Sequence, residues 1–240
     1  MGCESMKLEE VMTKLEEMSN EQTRSTWIRH GAQGSVYGVK IGDMKKLVKH
    51  VKKNQELALS LYETGNFDAM YLAGLTVDPK KIEKETLQEW VKKANWYMLA
   101  EYTVAGVASE SEYALELARE WIKSDDEMIA TCGWSTFANY VTITPDDKLD
   151  LKEIQKLLKK VEETIHTQQN RVRYTMNSFV MAAGICTTSL SEEARRVAEH
   201  VGKVHVDVGN TACKVPYAPE YIEKAIARGK LGQKKKTAIC

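Results

Sequence analysis

Two kinds of segment alternate along most of the chain. Segments rich in small and apolar residues cover positions 67–77, 96–107, 128–141 and 171–186. Segments in which Lys and Glu recur every three or four residues cover positions 81–93, 110–123, 149–164 and 191–201. A helix that is apolar or small on every side is usually buried, whereas a helix with one charged stripe faces water. The pattern therefore predicts an inner and an outer row of helices.

The alternation has the character of a degenerate repeat. The small-residue segments start at 67, 96, 128 and 171, so their spacings are 29, 32 and 43 residues. A single helix pair of this kind cannot bury its apolar face, and neighbouring pairs must stack to form a continuous core. We therefore predict an all-α protein, a HEAT-like α-solenoid (an ARM-repeat-type superhelix) of antiparallel helix pairs.

The two ends of the chain depart from this repeat. Residues 4–19 and a short stretch around Trp27 read as helices, and residues 31–38 form a glycine-punctuated loop without the order of a phosphate loop. Residues 204–208 alternate like a strand, which predicts an extended loop or a lone hairpin arm. We predict one helical-repeat domain over residues 1–229 and a basic, flexible tail over residues 230–240.

Composition limits the functional classes without choosing one. Hydrophobic residues make up 43% and charged residues 28%, which is typical of a folded, helix-rich protein. The 34 Lys and Arg balance the 34 Asp and Glu, so an anionic partner would need a local basic patch. The five cysteines lack CxxC spacing, which indicates reduced thiols and a cytoplasmic protein. We expect no metal site, no cofactor and no membrane span.

The segment that starts at Asn95 combines aromatic side chains with a carboxylate. Trp96 and Tyr97 can offer π faces to a cation, and Glu101 can supply a negative charge. A glutamate among such neighbours is costly to bury unless it is paired. The alternative is that Trp96 anchors the core and that Glu101 faces solvent.

A second candidate lies at the start of the last small-residue segment. Arg173 and Asn177 are four residues apart and share a helical face with Asn170 and Arg171 near its start. Arg and Asn are suitable donors to phosphate oxygens. The alternative is a structural network that fixes the start of this helix.

Several blocks, taken in order, resemble the DNA alkylation repair proteins, HEAT-like solenoids that include glycosylases for N3- and N7-alkylated purines. The resemblance runs from about Tyr37 to Met181, and its weight lies in the order and spacing of blocks that are each moderately specific. These blocks are residues 39–49, 61–64 with 67–73, 90–104, 121–125 and 171–179. Residues 202–216 extend beyond the glycosylase pattern.

The resemblance implies a site for a cationic base. It places Trp96 and Tyr97 at the family's tryptophan pair, Glu101 at its aspartate and Phe179 at a later tryptophan. The family's arginine has no counterpart here, because the matching neighbourhood around Cys132 carries no charge. The implied reaction is hydrolysis of the N-glycosidic bond, with the carboxylate stabilising an oxocarbenium-like sugar and aromatic faces holding the base. A Glu in place of an Asp shifts the carboxylate by about one bond, and misplacement on that scale can cost roughly 10²-fold in rate.

The implied partner is duplex DNA, alkylated or not, held in a concave groove. The candidate phosphate contacts form two groups: Lys45, Lys46 and Lys49, and Arg171, Arg173, Asn177 and Lys214.

Three readings of the function stay open from the sequence. The first is a DNA-binding member of this family, with or without glycosylase activity. The second is a protein–protein scaffold, in which Trp96 and Phe179 serve only the core. The third is an enzyme of different chemistry that uses Cys213, Asp207 and His205.

Overall fold

The chain is a stack of helix pairs. A computed structural model describes residues 6–52 and 54–239, and every regular element within them is helical. Three helices open the chain: α1 (Leu8–Glu17), α2 (Glu21–Arg29) and α3 (Ile41–Val51). Helix pairs follow, and in each the outer helix is given first and the inner helix second: α4 (Gln55–Glu63) with α5 (Phe67–Thr76), α6 (Lys84–Lys93) with α7 (Ala105–Glu110), α8 (Ala114–Trp121) with α9 (Glu127–Ile143), α10 (Leu151–Thr164) with α11 (Asn170–Cys186), and α12 (Ser191–Val201) with α13 (Ala218–Ala227).

The outer helices are amphipathic, as the charged segments predict. On α10 the residues Ile154, Leu157, Leu158 and Val161 are buried, and the Lys and Glu residues between them face outward. Burial of this stripe holds the helix on the stack, because each large aliphatic side chain removed from water contributes about 1.5–3 kcal/mol.

Glycines of the inner helices mark their closest approaches to neighbouring segments. A Cβ atom on Gly74 of α5 would lie 2.6 Å from the Thr103 side chain, and one on Gly133 of α9 would lie 2.6 Å from the backbone nitrogen of Ile122. Small residues are therefore required where these helices meet, which explains the composition of the inner segments. The predicted all-α stack of helix pairs is confirmed.

The core continues through the whole stack. One cluster of buried side chains includes Trp121 of α8 and Cys132 of α9, and the next cluster includes Trp134 of α9 and Phe179 of α11. Because α9 serves both clusters, the first and last helix pairs are joined through one packed interior.

A buried carboxylate fixes the loop that leads out of α2. Asp68 is fully buried at the start of α5 and accepts hydrogen bonds from the backbone N–H groups of Tyr37 (2.7 Å), Gly38 (3.3 Å) and Val39 (2.7 Å). Burial raises the pKa of Asp68, and these backbone donors act in the opposite direction. Gly38 has φ +80° and lies against the backbone of Arg24, where a side chain would clash. The loop thereby holds α2 beside the inner helices.

One extended segment between the helices of the last pair borders the inner row. Residues 204–216 are extended and contain no strand pairing, so of the two predicted forms the extended loop is the one observed. Helix α13, which follows, has no counterpart among the predicted segments. None of the helices in the described ranges is long and apolar enough to span a membrane.

The C-terminal segment, residues 230–239, lies along the protein. The N–H of Gly232 donates to the carbonyl of Ile185 (2.8 Å), and the N–H of Lys235 donates to the carbonyl of Thr142 (2.8 Å). These contacts describe the position of the segment and not its motion, so its flexibility stays a prediction.

Candidate functional site

A cleft of about 560 Å³ opens where the inner helices α9 and α11 begin. Its walls come from five places far apart in sequence: the end of α2, the turn before α7, the starts of α9 and α11, and the 204–216 segment. The side chains that matter for its chemistry are His30, Tyr97, Tyr102, Arg171, Tyr174 and Lys214.

Trp96 lies at the floor of the cleft and is almost wholly buried. Its side chain is only 4% exposed and packs edge-on against Phe67, with ring centroids 4.7 Å apart. The indole Nε1–H donates to the carbonyl of His30 (2.8 Å). Trp96 is therefore a core anchor that joins α2 to the inner row, and its ring faces are already in contact with protein.

A π-helical stretch, Leu99–Val104, sets the direction of the next side chains. It runs directly into α7 and replaces the regular α-helical spacing with a wider turn. Such insertions are rare and often re-aim side chains at functional sites. Here Glu101 turns inward and is 6% exposed, while the neighbouring Tyr102 is 43% exposed at the cleft.

Glu101 is paired with Arg171, the second residue of α11. Arg171 donates from Nε and Nη2 to the two carboxylate oxygens of Glu101, and the distance from Nη2 to Oε2 is 2.9 Å. This two-pronged geometry is the strongest form of a carboxylate–guanidinium contact. Burial raises the pKa of the Glu101 carboxyl, and Arg171 acts in the opposite direction.

The guanidinium is also enclosed by two aromatic rings. Arg171 Cζ lies 3.9 Å from the ring centroid of Tyr97 and 3.9 Å from that of Tyr174. The backbone N–H of Arg171 donates to the carboxylate of Glu127 (2.6 Å), at the start of α9. This negative charge stabilises the N-terminus of α11, which carries a partial positive charge. A carboxylate and two aromatic faces thus form a cation site, and the chain fills it with its own arginine.

This arrangement changes what Glu101 can do chemically. A carboxylate that stabilises a sugar cation or orients water needs free lone pairs at the reacting atoms. Both oxygens of Glu101 are engaged by Arg171, and Tyr97 faces the same guanidinium. The guanidinium of Arg171 therefore neutralises the Glu101 carboxylate.

Two asparagines of α11 hold the 204–216 segment across the edge of the cleft. Asn170 donates to the carbonyl of Asp207 (2.8 Å) and accepts from its N–H (2.7 Å). Asn177 is 2% exposed and donates to the carbonyl of Pro216 (2.9 Å), so it lies out of reach of a phosphate. Arg173 contacts Asn170 (3.3 Å) and belongs to the same network. Asn170, Arg173 and Asn177 therefore form a structural network that fixes the start of α11 and the 204–216 segment.

The far side of the 204–216 segment reaches α2. Cys213 Sγ lies 3.9 Å from His30 Nδ1, and Tyr97 OH lies 3.4 Å from the same nitrogen. The Asp207 carboxylate accepts from the N–H of Gly209 (2.8 Å), within its own turn. The histidine beside Cys213 is therefore His30. Lys214 is exposed at the cleft.

The remaining predicted residues lie elsewhere. Phe179 is fully buried between Trp134 and Phe137, with ring centroids 5.4 Å and 6.3 Å away, so it cannot face a ligand in the cleft. Lys45, Lys46 and Lys49 are exposed on α3, away from the cleft, and Lys46 pairs with Asp43 (2.7 Å). His30, Tyr102 and Tyr174 were not predicted from the sequence; the i, i+3 spacing from Arg171 was the available signal for Tyr174.

No grouping of three or more His, Cys, Asp or Glu side chains suited to a metal ion occurs in the described part of the chain. The candidate site is thus an ion pair between tyrosines, bordered by exposed cations.

Comparison with known proteins identifies the family. The model of the family described as "DNA alkylation repair enzyme" matches residues 11–222. Uncharacterized protein Lmo0209 of Listeria monocytogenes is 39% identical over 224 residues, covering 91% of this chain and 96% of its own. Uncharacterized protein Lin0241 of Listeria innocua is 37% identical over 219 residues, covering 89% and 94%.

A solved structure gives the same result for the fold. It is described as "a new family of proteins related to the HEAT-like repeat DNA glycosylases with affinity for branched DNA structures". It is 38% identical, has a TM-score of 0.90, and covers 98% of this chain and 100% of its own. The HEAT-like architecture is confirmed, and the chain belongs to the DNA alkylation repair enzyme family.

Proposed function

We propose that this protein binds branched DNA and does not excise alkylated bases. The ligand class follows from the similar solved structure, whose family is described as having affinity for branched DNA. The absence of base excision is inferred from the Glu101–Arg171 pair, which lies between Tyr97 and Tyr174. Arg171 already engages the Glu101 carboxylate and lies against the rings of Tyr97 and Tyr174, which are the groups that a cationic purine would need at this site.

Exposed cations at the cleft supply the electrostatic part of this function. Lys214 and Arg29 are exposed beside the cleft, on the 204–216 segment and on α2. They lie on segments from opposite ends of the chain that meet near His30. Phosphate contacts dominate the affinity of proteins for DNA and make it depend on salt. A branched junction presents phosphates in several directions, which suits cations placed on separate segments.

Binding is tested with fluorescently labelled four-way and three-way junctions and a linear duplex of equal nucleotide number. We expect tighter binding of the junctions and an affinity that falls steeply as salt rises. Lys214→Ala should weaken junction binding several-fold at about 0.1 M salt, since one phosphate contact is lost. The matched control is Lys156→Ala, an exposed lysine of the outer helix α10. Equal affinity for junction and duplex would contradict the proposed ligand.

Catalysis is tested separately by release of bases from methylated duplex DNA. We expect no release above the spontaneous rate by the wild type. Release that is lost in Glu101→Gln would show that the carboxylate is active despite Arg171, and it would restore the glycosylase reading. Capture of a protein partner that competes with junction DNA would favour the scaffold reading.

A further inference from the structure

The C-terminal segment crosses the inner helices at their C-terminal ends. It passes the last turn of α11 at Ile185 and the last turn of α9 at Val141 and Thr142, and it ends beside α7. Helix C-termini leave carbonyl groups unpaired and carry partial negative charge. The segment supplies donors to these carbonyls, and its lysines suit their charge. It therefore borders the inner row on the side opposite the cleft.

Two anchors hold the segment in register. Lys234 is turned inward, where its ammonium group donates to the carbonyl of Val141 (3.0 Å) and pairs with Asp146 (2.8 Å). The side chain of Glu110 accepts from the Thr237 hydroxyl and from the N–H groups of Ala238 (2.7 Å) and Ile239 (3.3 Å).

Packing reinforces the second anchor. Ile239 packs against the first hydrophobic cluster, and Gly106 of α7 lies directly beneath Ala238 and Ile239. These contacts fix the backbone on both sides of Lys235 and Lys236.

The anchored segment brings together two basic runs that are far apart in sequence. Lys235 and Lys236 are exposed between the two anchors. Beyond Thr237 and Ile239 the same edge continues into a groove lined by Lys45 of α3 and by Lys52, the residue that follows α3. Among the described residues, none of these four lysines forms an ion pair. The two carboxylates of the groove are engaged: Asp78 lies 3.7 Å from Lys81, and Glu110 holds the segment.

We propose that this edge is a second phosphate-binding surface, in which the anchored C-terminal segment acts with α3 to contact the backbone of a DNA arm. The inference rests on the proposed function for its ligand and adds a surface separate from the cleft. In a chain with no net charge, unpaired lysines collected at one edge create a local positive field that a polyanion would neutralise. The anchors matter because lysines held in place lose less entropy on binding than lysines on a free tail.

The first test compares charge at this edge with charge elsewhere. The double variant Lys235→Ala/Lys236→Ala should weaken junction binding by about tenfold or more near 0.1 M salt, and it should make the salt slope shallower by about two. The matched control, Lys152→Ala/Lys156→Ala, removes two exposed lysines from the outer helix α10. Equal losses in both double variants, or no loss in either, would overturn the proposal.

The second test uses the sign of the effect of Glu110→Ala. If the tail lysines contributed only net charge, removal of this carboxylate would strengthen binding to a polyanion. Because Glu110 anchors the segment, the proposal expects weaker binding instead, in a variant whose circular dichroism matches the wild type. Stronger binding would overturn the anchored surface.

The two proposals fail in different ways. Loss of preference for junctions over duplex in the wild type contradicts the proposed function. Unchanged binding in the Lys235/Lys236 variant, with junction preference intact, contradicts only the second surface.

Discussion

At the scale of single residues, the pair of Glu101 and Arg171 decides the chemistry of the cleft. The sequence marked both as site residues, but it assigned them to different tasks because they are 70 positions apart. Which inner helices face each other across the cleft depends on the curvature of the stack, and composition and periodicity do not give that curvature. A buried carboxylate needs a positively charged partner, so burial of Glu101 by itself predicts that an Arg or Lys of another inner segment pairs with it.

Phe179 shows a limit of a different kind. It follows Arg171 by eight residues, and at about 100° per residue it is turned roughly 80° away around α11. It therefore belongs to the stripe that includes Val172 and Met176, both buried in the core. Helical geometry alone would have separated Phe179 from the cleft, whereas the resemblance placed it there.

The first prediction concerns the buried pair. Arg171→Met should lower the free energy of unfolding by about 3–5 kcal/mol at pH 7, because Glu101 is left buried without its partner. The double variant Glu101→Leu/Arg171→Met should recover most of this loss, since no charge stays buried. Urea unfolding followed by tryptophan fluorescence measures both variants. A double variant less stable than Arg171→Met would contradict the argument.

The same variant has a defined pH dependence. Burial raises the pKa of Glu101 above its ordinary 4.5, and loss of Arg171 removes the opposing effect. A carboxyl whose pKa is higher in the folded chain favours the fold below its unfolded pKa and loses that contribution as pH rises through the folded value. The deficit of Arg171→Met should therefore shrink as pH falls from 7 towards 5. A deficit that grows in this range would exclude Glu101 as its source.

At the scale of elements, the sequence predicted the rows of helices well and their connections less well. Small residues identified the inner helices because close packing tolerates little else, as Gly74 and Gly133 show. The start near Trp96 was predicted to within one residue, since the helical conformation begins at Tyr97, but the π-helical turn that follows at Leu99 was not predicted. Helix α13 was missed since the polar 204–216 segment interrupts the repeat, and its place is set by packing of Ile222 in the second hydrophobic cluster and against Gly184 of α11.

The second prediction tests the close approach of α8 and α9. Gly133→Ala should lower the free energy of unfolding by about 1–3 kcal/mol, because the new methyl group meets the backbone of Ile122 at 2.6 Å. The control is Gly42→Ala in α3, where a Cβ meets nothing within 4 Å. There the change should stabilise by up to about 1 kcal/mol through helix propensity. Equal effects of the two substitutions would show that packing is not what requires Gly133.

At the scale of the whole molecule, two extended segments tie the last repeats back to the first. The 204–216 segment runs from Asn170 on α11 to His30 on α2 along the starts of the inner helices. The C-terminal segment runs from Ile185 on α11 to Glu110 on α7 along their ends. A solenoid held only by neighbouring pairs can flex along its axis. These two ties connect distant repeats, and they should limit that motion.

The last prediction follows from the tie at Asp146. Burial acts to raise the pKa of this carboxyl, but hydrogen bonds from Lys234 and Thr188 outweigh burial and hold the pKa below its ordinary value of 3.8. A lowered pKa means that the contact stabilises the fold above the unfolded pKa and is lost as pH falls through the folded value. Backbone 15N relaxation should therefore report an ordered C-terminal segment at pH 7 and greater mobility as the pH falls below the ordinary value of 3.8.

Asp146→Asn separates this contact from general acid unfolding. It should increase mobility around Lys235 already at pH 7, because Asn cannot pair with the Lys234 ammonium group as a carboxylate does. The rest of the stack should keep its order, since Asp146 lies outside both hydrophobic clusters. If the segment is highly mobile at pH 7 in both the wild type and the variant, the flexible tail predicted from the sequence is upheld. That result would also remove the anchored register on which the second phosphate surface depends.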